Sequence, residues 1–161
     1  MLKLPAQKIL LISFLILAIQ CVAFFFVDPL GYPDTIRYFN FADMITDGSH
    51  VSGDLAFYQG VLYPPLFLPL FFSLFKKFFN IPFEISGIFL QIVSFQAILW
   101  LSYLIALRQG GELAARLTLA LLLTQLVFCF RSALILTDYP FTALLLGIVL
   151  YVLRQKKIEL P

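Results

Sequence analysis

The chain has 161 residues, of which 61% are hydrophobic and 12% charged, with a net charge of +2 and a mean hydropathy of +0.97. Soluble domains carry about a quarter charged residues, so this composition predicts an all-α integral membrane protein. The small net charge and the lack of a Lys/Arg run exclude a nucleic-acid-binding protein. Cys21 and Cys129 lie in apolar runs and His50 is the only histidine, which excludes a finger-type zinc site.

The N-terminal segment predicts an uncleaved membrane anchor. After Lys3 and Lys8, residues 9–27 form an uninterrupted apolar run. This run is longer than the h-region of a signal peptide, and no small-x-small cleavage site follows it. At 1.5 Å per residue it spans about 28 Å, enough to cross the hydrocarbon layer. The two lysines predict a cytoplasmic N-terminus, so that residues 28–82 form an outer loop.

The outer loop begins with a predicted helix at residues 34–47. Its apolar residues recur every three positions: Ile36, Phe39, Ala42 and Ile45. Pro33 suits the first turn of a helix and Gly48 its end. The segment is too short and too charged to cross a bilayer, so we expect it to lie along the interface. Asp34 then falls in the first turn, where the helix dipole stabilises a carboxylate and where Arg37 can pair with it.

Residues 62–79 leave two topologies open. Prolines interrupt the start of this apolar piece and Lys76-Lys77 close it, which favours a second interfacial helix at residues 64–79 over a crossing. If it stays outside, Arg108, Arg116 and the basic cluster at 154–157 are all cytoplasmic, as the bias of Lys and Arg near helix ends requires. We therefore expect about four transmembrane helices and two interfacial helices, or five crossings if residues 62–79 span.

The remaining crossings are predicted at residues 83–107, 113–130 and 137–153, with a cytoplasmic turn at 108–112. The outer side then collects the acidic residues: Asp28, Asp34, Asp43, Asp47, Asp54, Glu84 and Asp138. Residues 1–161 form one multi-pass membrane module, which we expect in a bacterial cytoplasmic membrane.

Three outer features are candidates for chemistry, and each has a structural alternative. Asp34 with Arg37 and Tyr38 is either a reactive carboxylate or a helix-capping residue with a salt bridge. The Tyr63-Pro64-Pro65-Leu66 segment either contributes to a site or ends a loop before a helix. Arg131 and Asp138 bracket the outer corner of the last two crossings, where they either line a cavity or neutralise each other.

The order of these motifs resembles the start of a membrane glycosyltransferase of the GT-C class. The residues that carry the resemblance are Asp34, Tyr38, Ala42 and Gly48, then Tyr63-Pro64-Pro65-Leu66, then Thr137-Asp138-Tyr139-Pro140. The pattern is similar to the protein O-mannosyltransferase and aminoarabinose-transferase branches, including the dolichyl-phosphate-mannose-mannosyltransferase-like bacterial members. Each motif alone is weak, and the match rests on their order and spacing over nearly the whole chain.

The resemblance implies transfer of a sugar from a polyprenyl-phosphate donor to a lipid, glycan or protein acceptor at the outer face. It implies Asp34 as the base that takes the proton of the acceptor hydroxyl. Substrate-binding roles fall to Arg37, Tyr38, Tyr63, Arg131 and Asp138, with Arg131 the first choice for stabilising the leaving phosphate. Some relatives add a divalent metal, but no residue here is assigned as a metal ligand.

The chain departs from this family in length. Family members run to several hundred residues with eight or more crossings, so we expect this chain to be a truncated N-terminal portion. The alternative function is a non-catalytic membrane subunit or degenerate remnant that binds a partner. A small transporter is disfavoured, because the acidic residues collect in the outer loop and not at mid-membrane depth.

Overall fold

The computed structural model describes residues 6–26, 33–47, 67–124, 134–135 and 137–155, without the side chains of residues 6–10, 25, 33 and 34. The described residues form five helices, which we number in chain order: α1 (Ala6–Phe26), α2 (Pro33–Asp47), α3 (Phe67–Phe79), α4 (Phe83–Thr124) and α5 (Asp138–Gln155). The described ranges contain no strand, so the all-helical prediction is confirmed.

The 42-residue helix α4 is broken at Gly111, where the backbone adopts φ 74° and ψ −169°. Only glycine adopts this positive φ without strain, so Gly111 ends one helical arm and allows the next to begin. Tyr103 before the break and Ala115 after it belong to the same buried cluster. The break therefore lies within the predicted turn at 108–112, and both arms contribute to one core.

A first core cluster joins α1, both arms of α4 and α5. Its fully enclosed members include Ile16 of α1, Phe95 and Leu99 of the first arm, and Ala115 of the second arm. Tyr139 of α5 packs beside Phe95, with ring centroids 6.2 Å apart. Burial of these side chains is what holds the helices together in this part of the chain.

A polar seam joins α1 to the first arm of α4. Trp100 Nε1 donates to Ser13 Oγ at 2.9 Å, and Gln96 Nε2 lies 3.5 Å from Gln20 Oε1. The Gln20 side chain is completely buried. Since buried amides and hydroxyls are costly without partners, this seam fixes which face of α1 meets α4.

The outward surfaces of α1, α4 and α5 are apolar. Large exposed side chains include Phe14 (71%) on α1, Leu113 (72%) on α4 and Phe141 (66%) on α5. By length and composition, α4 is the one helix of the described chain that meets the requirements for crossing a membrane, and α1 contains a shorter apolar helix at residues 11–24. This is weak evidence for membrane association, and it does not establish four crossings.

Helix α2 packs on α3 through a face that holds only part of its regularly spaced apolar residues. Thr35, Tyr38 and Ala42 are buried, whereas Ile36 and Ile45 are 53% and 41% exposed. The four apolar residues do not share one face because residues that recur every three positions drift around an α-helix of 3.6 residues per turn. Over the span from Ile36 to Ile45 that drift reaches about half a turn, so the two side chains lie on opposite sides.

Candidate functional site

The buried face of α2 anchors a second core cluster. Tyr38 and Ala42 pack there with Leu68 and Phe72 of α3 and with Phe83 at the start of α4. Phe72 is completely buried and meets Phe39 edge-on, with ring centroids 5.3 Å apart. This aromatic packing fixes the position of α2, whose first turn carries the predicted base, Asp34.

One hydrogen bond ties the start of α2 to the segment that precedes α5. Thr35 Oγ1 donates to the backbone carbonyl of Ile135 at 3.3 Å, between residues 100 positions apart in the sequence. Ile135 is completely buried and belongs to the second cluster. Its Cδ1 lies only 2.7 Å from where a Cβ on Gly87 would stand, so the absence of a side chain at Gly87 makes room for it.

Asp138 is the first residue of α5, three positions after Ile135, and its side chain is exposed. The N–H of Phe141 donates to the carbonyl of Thr137 at 3.0 Å, which begins the helix. Tyr139 and Pro140 are buried beside it. The Thr35–Ile135 contact therefore brings the starts of α2 and α5, with the predicted acids Asp34 and Asp138, to the same end of the fold.

The other predicted site residues divide into two groups. Arg37 is half-buried on α2, and Tyr38 is 5% exposed within the second cluster. Tyr63 and Arg131 lie outside the described residues, as does the side chain of Asp34. The roles assigned to all of these residues stay predictions.

The sequence analysis missed an ion pair between α2 and α3. Lys76 Nζ lies 2.7 Å from Asp43 Oδ1, and Thr46 Oγ1 donates to Ser73 Oγ at 3.1 Å. Along α2 the first of these contacts is made by Asp43 and the second by Thr46, whereas along α3 Ser73 precedes Lys76. Because the order of the partners is reversed, α2 and α3 run antiparallel. The signal was present in the sequence, because Asp43 and Thr46, like Ser73 and Lys76, are three positions apart on one helix face.

Lys76 lies at the junction of three helices. Its ammonium is 4.5 Å from the centroid of the Phe83 ring, at the start of α4. The hydrogen bond that Lys76 donates to Asp43 raises the pKa of Lys76, with smaller contributions from the nearby carboxylates of Asp47 and Glu84. Lys76 therefore stays charged at any physiological pH.

An open cleft of about 330 Å³ lies next to this ion pair. Its walls include Asp43 of α2, Lys76 of α3, and Phe83 and Glu84 of α4. Asn80, between α3 and α4, also lines the cleft; it adopts φ 54°, and its N–H donates to the carbonyl of Lys76 at 3.0 Å. Asparagine tolerates this left-handed conformation better than other non-glycine residues, so Asn80 ends α3 and lets the chain turn into α4.

The described side chains contain no group of three His, Cys, Asp or Glu residues that could hold a metal ion. Comparison with protein families, with curated protein sequences and with solved structures finds no match to this chain.

Proposed function

We propose that this chain is an integral membrane module of a glycosyltransferase that uses a polyprenyl-phosphate sugar donor. The membrane setting is supported by the apolar side chains that α1, α4 and α5 turn outward. In water such exposed apolar surface is unfavourable, and soluble monomers rarely display large patches of it. In a bilayer the same side chains face hydrocarbon, while the backbone hydrogen bonds stay within each helix.

The observation that carries the proposed activity is the hydrogen bond between Thr35 and Ile135. It joins the helix start that carries Asp34 to the segment that leads into Asp138. In the proposed reaction Asp34 takes the proton of the acceptor hydroxyl, and the hydroxyl oxygen attacks the anomeric carbon. The bond from that carbon to the phosphate oxygen breaks, and polyprenyl phosphate leaves with the bonding electrons. Asp138 lines the donor or acceptor site, and Arg131 or Arg37 stabilises the leaving phosphate.

Substitution of the proposed base tests this activity. Membranes from cells that express the chain are given radiolabelled polyprenyl-phosphate mannose or polyprenyl-phosphate aminoarabinose, and label is counted in lipid, glycan and protein fractions. Asp34→Asn should reduce transfer by about a hundredfold or more, since general-base catalysis contributes roughly 10²–10⁴-fold. The control is Asp47→Asn at the opposite end of α2, where the side chain is exposed and the rate should be unchanged. Wild-type transfer by Asp34→Asn would disprove the assignment of the base.

Cysteine labelling tests the membrane setting separately. Ser73 lies on the predicted outer side, but it is 4% exposed and bonded to Thr46, so Lys77 is the better position. In a chain without its own cysteines, Lys77→Cys should react with an impermeant maleimide in intact cells. Gln109→Cys, in the predicted cytoplasmic turn, should react only after lysis. Extraction of the chain by alkaline carbonate would refute an integral membrane protein.

Burial of the motif residues favours a second candidate function, a non-catalytic membrane subunit. Tyr38 and Ala42, two positions of the glycosyltransferase-like pattern, are enclosed in the second cluster and pack against α3 and α4. A subunit that only binds a partner needs this packing but not Asp34. Transfer no greater than that of vector-only membranes with either donor, together with carbonate-resistant insertion, would favour the subunit over the enzyme.

A further inference from the structure

The cleft beside Lys76 is lined by one ammonium and two carboxylates, so it could bind a ligand that carries both a negative and a positive charge. We propose that this cleft binds the phosphoethanolamine headgroup of a membrane phospholipid. The inference rests on the proposed membrane setting but not on the proposed sugar transfer. It assigns a separate site, formed by the end of α3 and the start of α4, to a ligand that carries both a phosphate and a primary ammonium.

The phosphate part of the ligand fits Lys76. A lysine ammonium has three N–H donors. Among the described residues Lys76 donates one hydrogen bond, to Asp43 at 2.7 Å, and its side chain remains 38% exposed. The Phe83 ring holds the ammonium from one side at 4.5 Å. Lys76 is thus held in place with donors left to offer to a phosphate oxygen in the cleft.

The ammonium part of the ligand fits the excess of negative charge. Among the described residues, the cleft is lined by the carboxylates of Asp43 and Glu84 and by one ammonium, that of Lys76. Glu84 is exposed and forms no hydrogen bond or ion pair with another described side chain. With a ligand ammonium near Glu84, negative and positive charges would alternate across the cleft: Asp43, Lys76, the ligand phosphate, the ligand ammonium and Glu84. A phosphate alone would leave Glu84 repelling the ligand.

The apolar part of the ligand fits the end of α3. Phe78 and Phe79, directly after Lys76 and Lys77, are 71% and 67% exposed, and Leu74 one turn earlier is 51% exposed. These side chains give acyl chains an apolar surface beside the cleft, and a water-soluble metabolite would not use them. The cleft volume of about 330 Å³ suits a headgroup and not a whole lipid.

Native mass spectrometry of the full chain in detergent tests the proposal. The protein is titrated with dihexanoyl phosphatidylethanolamine, with the phosphatidylcholine and phosphatidylglycerol of the same chain length, and with O-phosphoethanolamine. The ethanolamine lipid should bind about tenfold more tightly than the other two lipids, because choline has no N–H donor and glycerol no cation. O-phosphoethanolamine should compete for the site, but more weakly than the lipid.

Two variants assign the contacts. Glu84→Gln should reduce binding of the ethanolamine lipid about tenfold and leave the choline lipid unchanged, whereas Lys76→Met should weaken both. The control is Glu112→Gln, which removes a half-buried carboxylate that pairs with Arg116 and accepts from Tyr103 and does not line the cleft. Far-UV circular dichroism confirms that each variant keeps its helices.

Equal affinity for the three lipids, or wild-type binding by Glu84→Gln, would overturn the proposed site. Binding of O-phosphoethanolamine as tightly as the lipid would overturn its assignment to a membrane lipid. Because the titration is done in detergent, a negative result leaves carbonate resistance and sugar transfer untouched. Failure of the sugar-transfer assay would likewise leave the headgroup proposal standing, whereas extraction by alkaline carbonate would remove the membrane setting on which it rests.

Discussion

Introducing a methyl group at Gly87 tests the contact that joins α4 to the segment before α5. The added Cβ would lie 2.7 Å from Cδ1 of Ile135 and 3.2 Å from its Cγ1 and Cγ2. Overpacking of this kind costs about 1–3 kcal/mol, while exchanging glycine for alanine in a helix gains up to about 1 kcal/mol. We therefore expect Gly87→Ala to lower the free energy of unfolding by about 1 kcal/mol.

A second substitution separates overpacking from other causes. Ile135→Val removes Cδ1, the atom closest to the added methyl, and alone should cost about 1 kcal/mol through the cavity that it leaves. In the double variant each change relieves the other. The double variant should therefore be about 1 kcal/mol more stable than the sum of the two single effects predicts.

Pulse proteolysis in mixed micelles with increasing SDS measures these free energies. The control is Gly147→Ala on α5, where nothing lies within 4 Å of the added Cβ and where helix propensity should make the protein slightly more stable. Strictly additive effects of Gly87→Ala and Ile135→Val would show that the two residues do not touch, and the junction at Thr35 would lose its support.

Three further outcomes follow from the described contacts. Thr35→Val should cost about 1–2 kcal/mol, because it leaves the buried Ile135 carbonyl without its donor, and it should speed hydrogen exchange in the first turns of α2. Phe72→Ala should lower the free energy of unfolding by about 3–5 kcal/mol, whereas Phe78→Ala, 71% exposed, should change it by less than about 0.5 kcal/mol in detergent. Folding raises the pKa of Lys76 above its ordinary value of 10.5. The ion pair with Asp43 therefore stabilises the folded state fully at pH values below 10.5, and this stabilisation is lost as the pH rises through the folded-state pKa. The thermal midpoint should therefore fall more steeply above pH 10.5 in the wild type than in Lys76→Met, and parallel curves would contradict a stabilising pair.

The helical class was predictable because it depends on composition and on local breakers. Long apolar stretches and the prolines and glycines between them suffice to predict helices. The sequence predicts a helix at 34–47 and a turn at 108–112; the structure has α2 from Pro33 to Asp47 and a break at Gly111. The glycine at that position also predicts a break in the helix, since few other residues adopt a positive φ.

The packing of α2 was only partly predictable. A spacing of three among Ile36, Phe39, Ala42 and Ile45 suggests one apolar face, but such a spacing winds around the helix. The buried face of α2 follows Thr35, Tyr38 and Ala42, and because the first of these residues is polar, the apolar pattern does not reveal this face. Thr35 is buried because its hydroxyl finds the carbonyl of Ile135, 100 positions away, a partner that no local pattern indicates.

In the proposed membrane setting, the polar seam between α1 and α4 constrains the order in which the molecule assembles. Gln20 and Ser13 leave the ribosome long before their partners Gln96 and Trp100, which follow 76 and 87 positions later. During that interval α1 would reside in lipid, or beside the insertion machinery, before Gln96 and Trp100 are available to it. Docking of α4 ends this exposure, so Gln96→Leu should prolong contact of newly made α1 with the translocon, as site-specific crosslinking of nascent chains would detect.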